Sequence, residues 1–243
     1  MKKIKEFEGI RTYEIKWENR QGQYKYNQEL IFPKNTYSPW LDDTEFLFKF
    51  EKFVAKNTLV DIYRAYEIWS VSKRLKDIEA SIIEIGVWRG GTSFLLAESL
   101  NKKNYLYLCD TFEGVVKSSD KDNYYKGGEH SDVDYDEVVQ LMKHTEKTNI
   151  KILKGIFPDE TSDSISIEEK FKICHIDVDV YESAKDIFYW IWPKIIPGGY
   201  VIFDDYGFAS CEGITLLVNE IVSNQNDFHF IYNINGHAIL IKK

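Results

Sequence analysis

The chain has 243 residues, 44% hydrophobic and 29% charged, a balance that fits one globular α/β domain with decoration and excludes fibrous and disordered classes. Its formal charge is −8, from 31 Lys and Arg against 39 Asp and Glu, and no basic block offsets the acidity, so nucleic acid and anionic membrane are excluded as partners. The three cysteines, Cys109, Cys174 and Cys211, lack Cys-x-x-Cys spacing and read as small core residues of a reducing compartment. The charged N-terminus has no signal-peptide stretch and no run approaches the ~18 apolar residues of a membrane helix, which makes a cytoplasmic location the expectation.

Residues 1–57 are aromatic and charged with patchy periodicity, and they are expected to form an N-terminal extension or cap. Within them Asp42, Asp43 and Glu45, ahead of Phe46, Phe48, Phe50 and Phe53, predict a helix starting near Asp42. From residue 58 to the end the pattern is regular. "DIYRAYEIWSVSKRL" reads as a helix, and "SIIEIG", "YLYLCD", "IKILKG", "FKICHID" and "YVIFDD" are short apolar runs separated by helix-length segments. That alternation predicts βαβ units and a parallel sheet whose central strands are buried on both faces. The tail breaks the rhythm: "FHFIYNI" and "HAILIKK" are joined through Asn235-Gly236, a hairpin signal, so two antiparallel strands close the sheet.

"EIGVWRGGTSFLLAE" follows the first strand run and opens a helix. Gly86, Gly90 and Gly91 permit a sharp turn and close approach of a ligand, and Thr92 and Ser93 stand near the helix N-terminus, where free N–H groups can donate to an acceptor. A dinucleotide fingerprint asks for Gly at position 88, which is Trp88, so the pyrophosphate reading is disfavoured. Glu84, inside the strand, could meet a cationic, amino-acid-like ligand. Asp110, ending the second run, stands where an acidic side chain can accept from ribose hydroxyls.

Asp177 ends the fourth run, and Asp204 with Asp205 end the fifth. Ligands of open α/β sheets sit outside the carboxyl ends of strands, so these carboxylates should converge near the ligand held by the first two strands. Like charges at ~4 Å repel by about 4 kcal/mol per pair at an effective dielectric near 20, so a cation or raised pKa values must compensate. Oxygen-only ligands favour Mg²⁺, Ca²⁺ or Mn²⁺ over zinc. Asp179, two residues beyond Asp177, is placed either to take a proton from a bound hydroxyl or to cap the following helix.

Taken together, "EIGVWRGGTS", "CDTFEG", "KGIFPD", "HIDVDVYES", "PGGYVIFDDYG" and the upstream "NTYSPW" resemble the macrocin O-methyltransferase (TylF) family of S-adenosylmethionine-dependent sugar O-methyltransferases. The resemblance implies a class I methyltransferase fold, Rossmann-like, with a seven-stranded, mostly parallel sheet, a C-terminal antiparallel hairpin and helices on both faces. It implies that Glu84, Gly86, Thr92 and Ser93 line the methionine side of the cofactor pocket, that Asp110 holds the ribose, and that Phe112, Gly155 and Phe157 lie near the adenosine. It implies Mg²⁺ on Asp177, Asp204 and Asp205, with Asp177 also beside the cofactor, and Asp179 as general base. A lysine base of the D-x-D-K kind is excluded because Val180 follows Asp179. Tyr37 and Trp40, with Phe46 beyond, are expected as a lid over cofactor and acceptor.

The implied partner is a sugar-containing small molecule, and the aromatic N-terminal segment permits a homo-oligomer. Residues 1–35 and the acidic stretch within 115–136 match no motif of the resemblance and are expected to face the acceptor. Two other readings stand beside this one: the same fold acting on a catechol-like phenol or small phosphorylated metabolite, and a nicotinamide-dependent oxidoreductase, which Trp88 and the lack of a Tyr-x-x-x-Lys pair disfavour.

Overall fold

The computed structural model describes residues 2–7, 10–14, 37–233 and 235–243. The chain divides into two compact units, Met1–Ser38 and Pro39–Lys243, a division upstream of the boundary expected at residue 57. The first contains an antiparallel pair, β1 (Lys2–Phe7) and β2 (Ile10–Glu14); the rest of the expected cap up to residue 36 lies outside the described residues.

In the second unit, α1 (Thr44–Lys49) starts where the acidic cluster predicts, with Asp43 as N-cap accepting from the Phe46 amide at 3.0 Å. It continues into a π-helical turn, Phe50–Val54. Phe46 and Val54 are fully buried in one core with Ile68, Trp69, Phe94 and Leu95, so this segment is part of the domain's own packing. Trp40 stands edge-on to Tyr63 and Tyr66 of the next helix, α2 (Ile62–Arg74). Asp61 caps α2 by accepting from the Tyr63 and Arg64 amides.

All five predicted strand runs form: β3 (Ser81–Ile85), β4 (Leu106–Asp110), β5 (Ile150–Lys154), β6 (Phe171–Ile176) and β7 (Ile195–Phe203). They pair in parallel. The tail adds β8 (Phe228–Tyr232) and β9 (Ala238–Lys242), antiparallel to each other and to β7. The resulting seven-stranded order is β5-β4-β3-β6-β7-β9-β8, the sheet that the resemblance implies. Helices α3 (Gly91–Leu96), α4 (Tyr135–Lys143) and α5 (Tyr181–Ile191) fill the predicted connections. A further helix, α6 (Glu212–Asn224), follows β7; the expectation from sequence assigned nothing there, although Ile214, Leu217, Val218 and Ile221 form a buried 3.6-period stripe.

Central strands are buried on both faces and split their side chains between two cores by the period of two. Ile83, Ile85, Cys174, Ile176, Val201 and Phe203 pack with α5 and α6. Ile82, Leu106, Leu108, Ile173 and Ile202 pack with α2 and α3. Each such Ile, Leu, Val or Phe side chain contributes about 1.5–3 kcal/mol when fully buried. Lys172 is also fully buried, and its ammonium donates to the carbonyls of Leu75, Ile78 and Ser99 at 2.9, 2.9 and 2.6 Å. Among the described residues no helix is long and apolar enough to cross a membrane.

The chain enters the sheet at β3, runs outward to β4 and β5, and returns to β6 on the other side of β3. That reversal opens a crevice at the carboxyl ends of β3 and β6. Backbone pairing continues one residue past the strands, with Gly86 N–H on Cys109 O (3.0 Å), Asp177 N–H on Ile85 O (2.9 Å) and Asp204 N–H on Ile176 O (2.9 Å). The glycine turn and the strand-end aspartates are thereby held at one level.

Candidate active site

A cleft of about 300 Å³ opens at the strand reversal, and its walls include Gly86, Thr92, Asp110, Gly155, Phe157, Asp177, Asp179 and Asp205. Gly86 adopts φ +86°, and a Cβ there would stand 1.6 Å from the carbonyl oxygen of Asp177. Only glycine lets the first turn and the β6 end touch this closely. Asn57, Thr58, Leu59 and Val60, just ahead of α2, form another part of the wall.

Three expected cofactor residues do not line the cleft. Glu84 is fully buried within the sheet, accepting from the Ser93 hydroxyl and facing His175 Nδ1 at 2.8 Å. Its carboxylate ties β3 to α3 and β6 and is turned away from the ligand space, and Ser93 is consumed in the same contact. Phe112 is buried against Tyr135. Trp40 is likewise absent from the wall, its ring taken up by α2. Tyr37 belongs to the N-terminal unit.

Asp110 reaches the cleft, and one of its oxygens accepts from the Val87 and Trp88 amides (2.7 and 2.8 Å) while the other accepts from Phe112 N–H at 2.7 Å. These bonds shape the glycine turn and occupy three of roughly four acceptor directions of a carboxylate, leaving one for a ligand hydroxyl.

The aspartates converge as expected. Asp177, Asp204 and Asp205 each offer an oxygen, and these atoms lie within 4.8 Å of one another. Arg64 of α2, which sequence reasoning passed over, stands among them: its Nη1 is 2.6 Å from Asp204 Oδ2 and 3.2 Å from Asp205 Oδ1. Its Nε bonds Asp61 at 2.8 Å and its guanidinium lies 4.8 Å from the Phe208 ring centre. Behind Asp204, His237 Nε2 is 2.8 Å from Oδ1, and Nδ1 of the same ring is 2.6 Å from Glu67 Oε2.

Charge balance sorts these groups. Asp204 is almost fully buried, yet the contact with His237 and the charge of Arg64 overcome desolvation and hold its carboxyl well below the usual range. Desolvation alone would depress His237; its contacts with Asp204 and Glu67 push it up to about 9. Asp177 has no such partner, so burial and the charges of Asp204 and Asp205 drive its carboxyl well above the ordinary value. Asp205 rises for the same reasons, burial first and then Asp204 and Asp179. Asp179 is also raised, by burial, against the pull of a hydrogen bond from Tyr125. The three-aspartate set is therefore short of positive charge even with Arg64 beside it, and its own donors are all oxygens. That combination fits a divalent cation of the Mg²⁺ class.

Tyr125 and His130, from the acidic stretch, reach the cleft beside Asp179, with Tyr125 Oη 3.2 Å from His130 Nε2. Cys211 Sγ lies 3.7 Å from Asp179 Oδ1. Asp179, Asp205 and His130 all have positive φ, at 65°, 62° and 62°. Left-handed non-glycine residues cost about 1–3 kcal/mol each and gather at functional sites.

This fold and the crevice at its strand reversal are those of class I O-methyltransferases. The structure of the O-methyltransferase NovP superposes with a TM-score of 0.67 at 23% identity, over 77% of this chain and 82% of that one. CalS11, a calicheamicin methyltransferase, gives 0.63 at 16% identity over 88% and 99%. The chain belongs to the macrocin-O-methyltransferase (TylF) family, whose profile matches residues 64–242. It is 27% identical over 147 residues to the 8-demethyl-8-(2,3-dimethoxy-alpha-L-rhamnosyl)-tetracenomycin-C 4'-O-methyltransferase of Streptomyces olivaceus, a match covering 55% of this chain and 56% of the relative. It is also 27% identical over 158 residues to the mycinamicin III 3''-O-methyltransferase of Micromonospora griseorubida, covering 58% and 61%. The chain thus spans little more than half the length of the curated relatives it matches.

Proposed function

We propose that the protein is an S-adenosylmethionine- and Mg²⁺-dependent O-methyltransferase that methylates a hydroxyl of a sugar carried by a small molecule. The observation that carries this reading is the oxygen-only, cation-deficient set Asp177, Asp204 and Asp205: Asp177 and Asp205, with Asp179 beside them, share the cleft wall with the glycine turn, and Asp204 is buried within reach of both. Family membership and the names of the matched relatives support the choice of methyl transfer to a sugar.

The chain's residues divide the work. Gly86 and Thr92 leave room at the first turn for the methionine portion of the cofactor, and the remaining acceptor direction of Asp110 receives a ribose hydroxyl. Gly155 and Phe157 border the adenosine end. Asp177, Asp204 and Asp205 would hold the cation, which when bound supplies Lewis acidity and a template for adjacent sugar hydroxyls.

Transfer is an in-line displacement: the acceptor oxygen forms a bond to the methyl carbon as the carbon–sulfur bond breaks, and the hydroxyl proton leaves to Asp179. Asp179, which lines the cleft beside Asp205, is the carboxylate placed to take that proton, an effect typically worth 10²–10⁴-fold. Holding the hydroxyl in line can lower the barrier by up to about 7–11 kcal/mol. Tyr125 and His130 border the acceptor side.

Calorimetric titration of S-adenosylmethionine, with Mg²⁺ and with EDTA and with NAD⁺ as control, tests the cofactor. Transfer of labelled methyl to a panel of rhamnosides, catechols and sugar phosphates tests the acceptor. Micromolar S-adenosylmethionine binding with labelling of a rhamnoside is expected; no heat in either buffer would refute the methyltransferase reading, and labelling of catechol alone would refute the sugar.

A further inference from the structure

Asp204 uses its two oxygens on opposite sides. Oδ1 lies 2.8 Å from His237 Nε2, and Oδ2 lies 2.6 Å from Arg64, itself a residue of the cleft wall. The His237 ring has no freedom to turn, because it is completely buried and its Nδ1 is bound at 2.6 Å by Glu67. Glu67 is in turn held by Asn233, whose Nδ2 donates to the same oxygen at 2.6 Å while its Oδ1 accepts from the His237 amide at 3.0 Å. His237 thus stands between two carboxylates, hydrogen-bonded to Glu67 of α2 and at ion-pair distance, without hydrogen-bond geometry, from Asp204, in a line from α2 past the residue ahead of β9 to the residue after β7. Chains of this form orient metal ligands elsewhere, with the ligand's far side fixed so that its near side faces the ion.

The near side is occupied by Arg64. Its Nη1 reaches both Asp204 Oδ2 and Asp205 Oδ1. A Mg²⁺-class ion requires oxygens at about 2.0–2.1 Å with near-octahedral directions, and a guanidinium nitrogen at hydrogen-bond distance from two of the three carboxylates uses lone pairs that such an ion needs. Arg64 has somewhere to go, since Asp61 already holds its Nε at 2.8 Å and is much more exposed than the Asp204 end.

We propose that Glu67 and His237 are a positioning pair that aims Asp204 at the cation, and that Arg64 is the counter-cation of the metal-free cluster, which an incoming divalent ion displaces toward Asp61. This rests on the metal reading above. The two halves have opposite signs. Removing the positioning pair loosens the ligand and weakens metal binding, whereas removing Arg64 takes away a competitor and strengthens it.

The test uses Mn²⁺ as the probe, its free concentration read by electron paramagnetic resonance, on the full chain with no acceptor present. S-Adenosylmethionine affinity serves as the check that each variant is folded. His237→Leu is expected to weaken Mn²⁺ about 10- to 100-fold, with His237→Gln, which keeps an N–H group beside Asp204, recovering part of the loss. Glu67→Gln, at a partly exposed position, acts in the same direction and covers the case in which His237→Leu fails to fold. Arg64→Met is expected to tighten Mn²⁺ by about tenfold or more, since a full positive charge leaves the ligand sphere. Mn²⁺ affinities unchanged in Glu67→Gln and His237→Gln, or weakened in Arg64→Met, would overturn this proposal alone. A wild-type protein that takes up no Mn²⁺ would overturn it together with the metal reading.

Discussion

Gly86→Ala probes whether the glycine turn and the carboxylate cluster are one mechanical unit. The added Cβ would stand 1.6 Å from Asp177 O and 2.5 Å from Asp177 C, both backbone atoms, with Gly86 at φ +86°. A left-handed alanine costs about 1–2 kcal/mol. Forced overpacking adds about 1–3 kcal/mol, and because the obstacle is backbone no rotamer change relieves it. The expected destabilisation is therefore about 2–5 kcal/mol, read as the shift in free energy of urea unfolding. Relief requires the ends of β3 and β6 to separate, which moves Asp177 and the turn together, so S-adenosylmethionine and Mn²⁺ should both bind at least about tenfold more weakly, or 1.4 kcal/mol each. A variant within about 1 kcal/mol of wild type, with both affinities unchanged, would refute the claim that close backbone contact sets the site.

Asp179→Asn should keep S-adenosylmethionine and Mn²⁺ binding while lowering turnover of the labelled acceptor by about 10²–10⁴-fold; turnover near wild type would remove Asp179 as the base. Lys172→Met leaves three carbonyls without their shared donor and should cost about 2–3 kcal/mol in urea unfolding, and an unchanged midpoint would show that these carbonyls find other partners. His237 predicts a pH dependence of the EDTA-treated protein. Its folded pKa, raised from an ordinary 6.5 to about 9 by Asp204 and Glu67 against desolvation, means that its contribution is complete below pH 6.5 and is lost as pH rises through 9. Thermal midpoints should therefore fall across that window in wild type and lose this component in His237→Gln; parallel profiles would show that the pair does not hold the proton.

The parts of this protein legible in the sequence are those whose cause is local. A strand buried on both faces must be a short apolar run, so β3 to β7 could be located from composition, and the strand-end aspartates could be placed because parallel strands bring their carboxyl ends to one side. The glycine turn was legible because φ +86° at Gly86 excludes other residue types, and Asn235-Gly236 marked the closing hairpin. What local pattern does not carry is which way a polar side chain on a buried strand turns. Glu84 sits in the glycine motif but is spent on Ser93 and His175, and Asp110 shapes the turn through three amides as well as facing the cleft. Arg64 meets Asp204 across 140 residues of chain, and His237 meets Glu67 across 170. Neither pairing leaves a spacing or a periodicity, since each is set by where α2 and β9 pack against the sheet. The sequence by itself thus determined the scaffold and the demand for a positive charge among the aspartates; only the tertiary structure decided that an arginine and a histidine stand there to answer it, because that choice depends on contacts between elements remote along the chain.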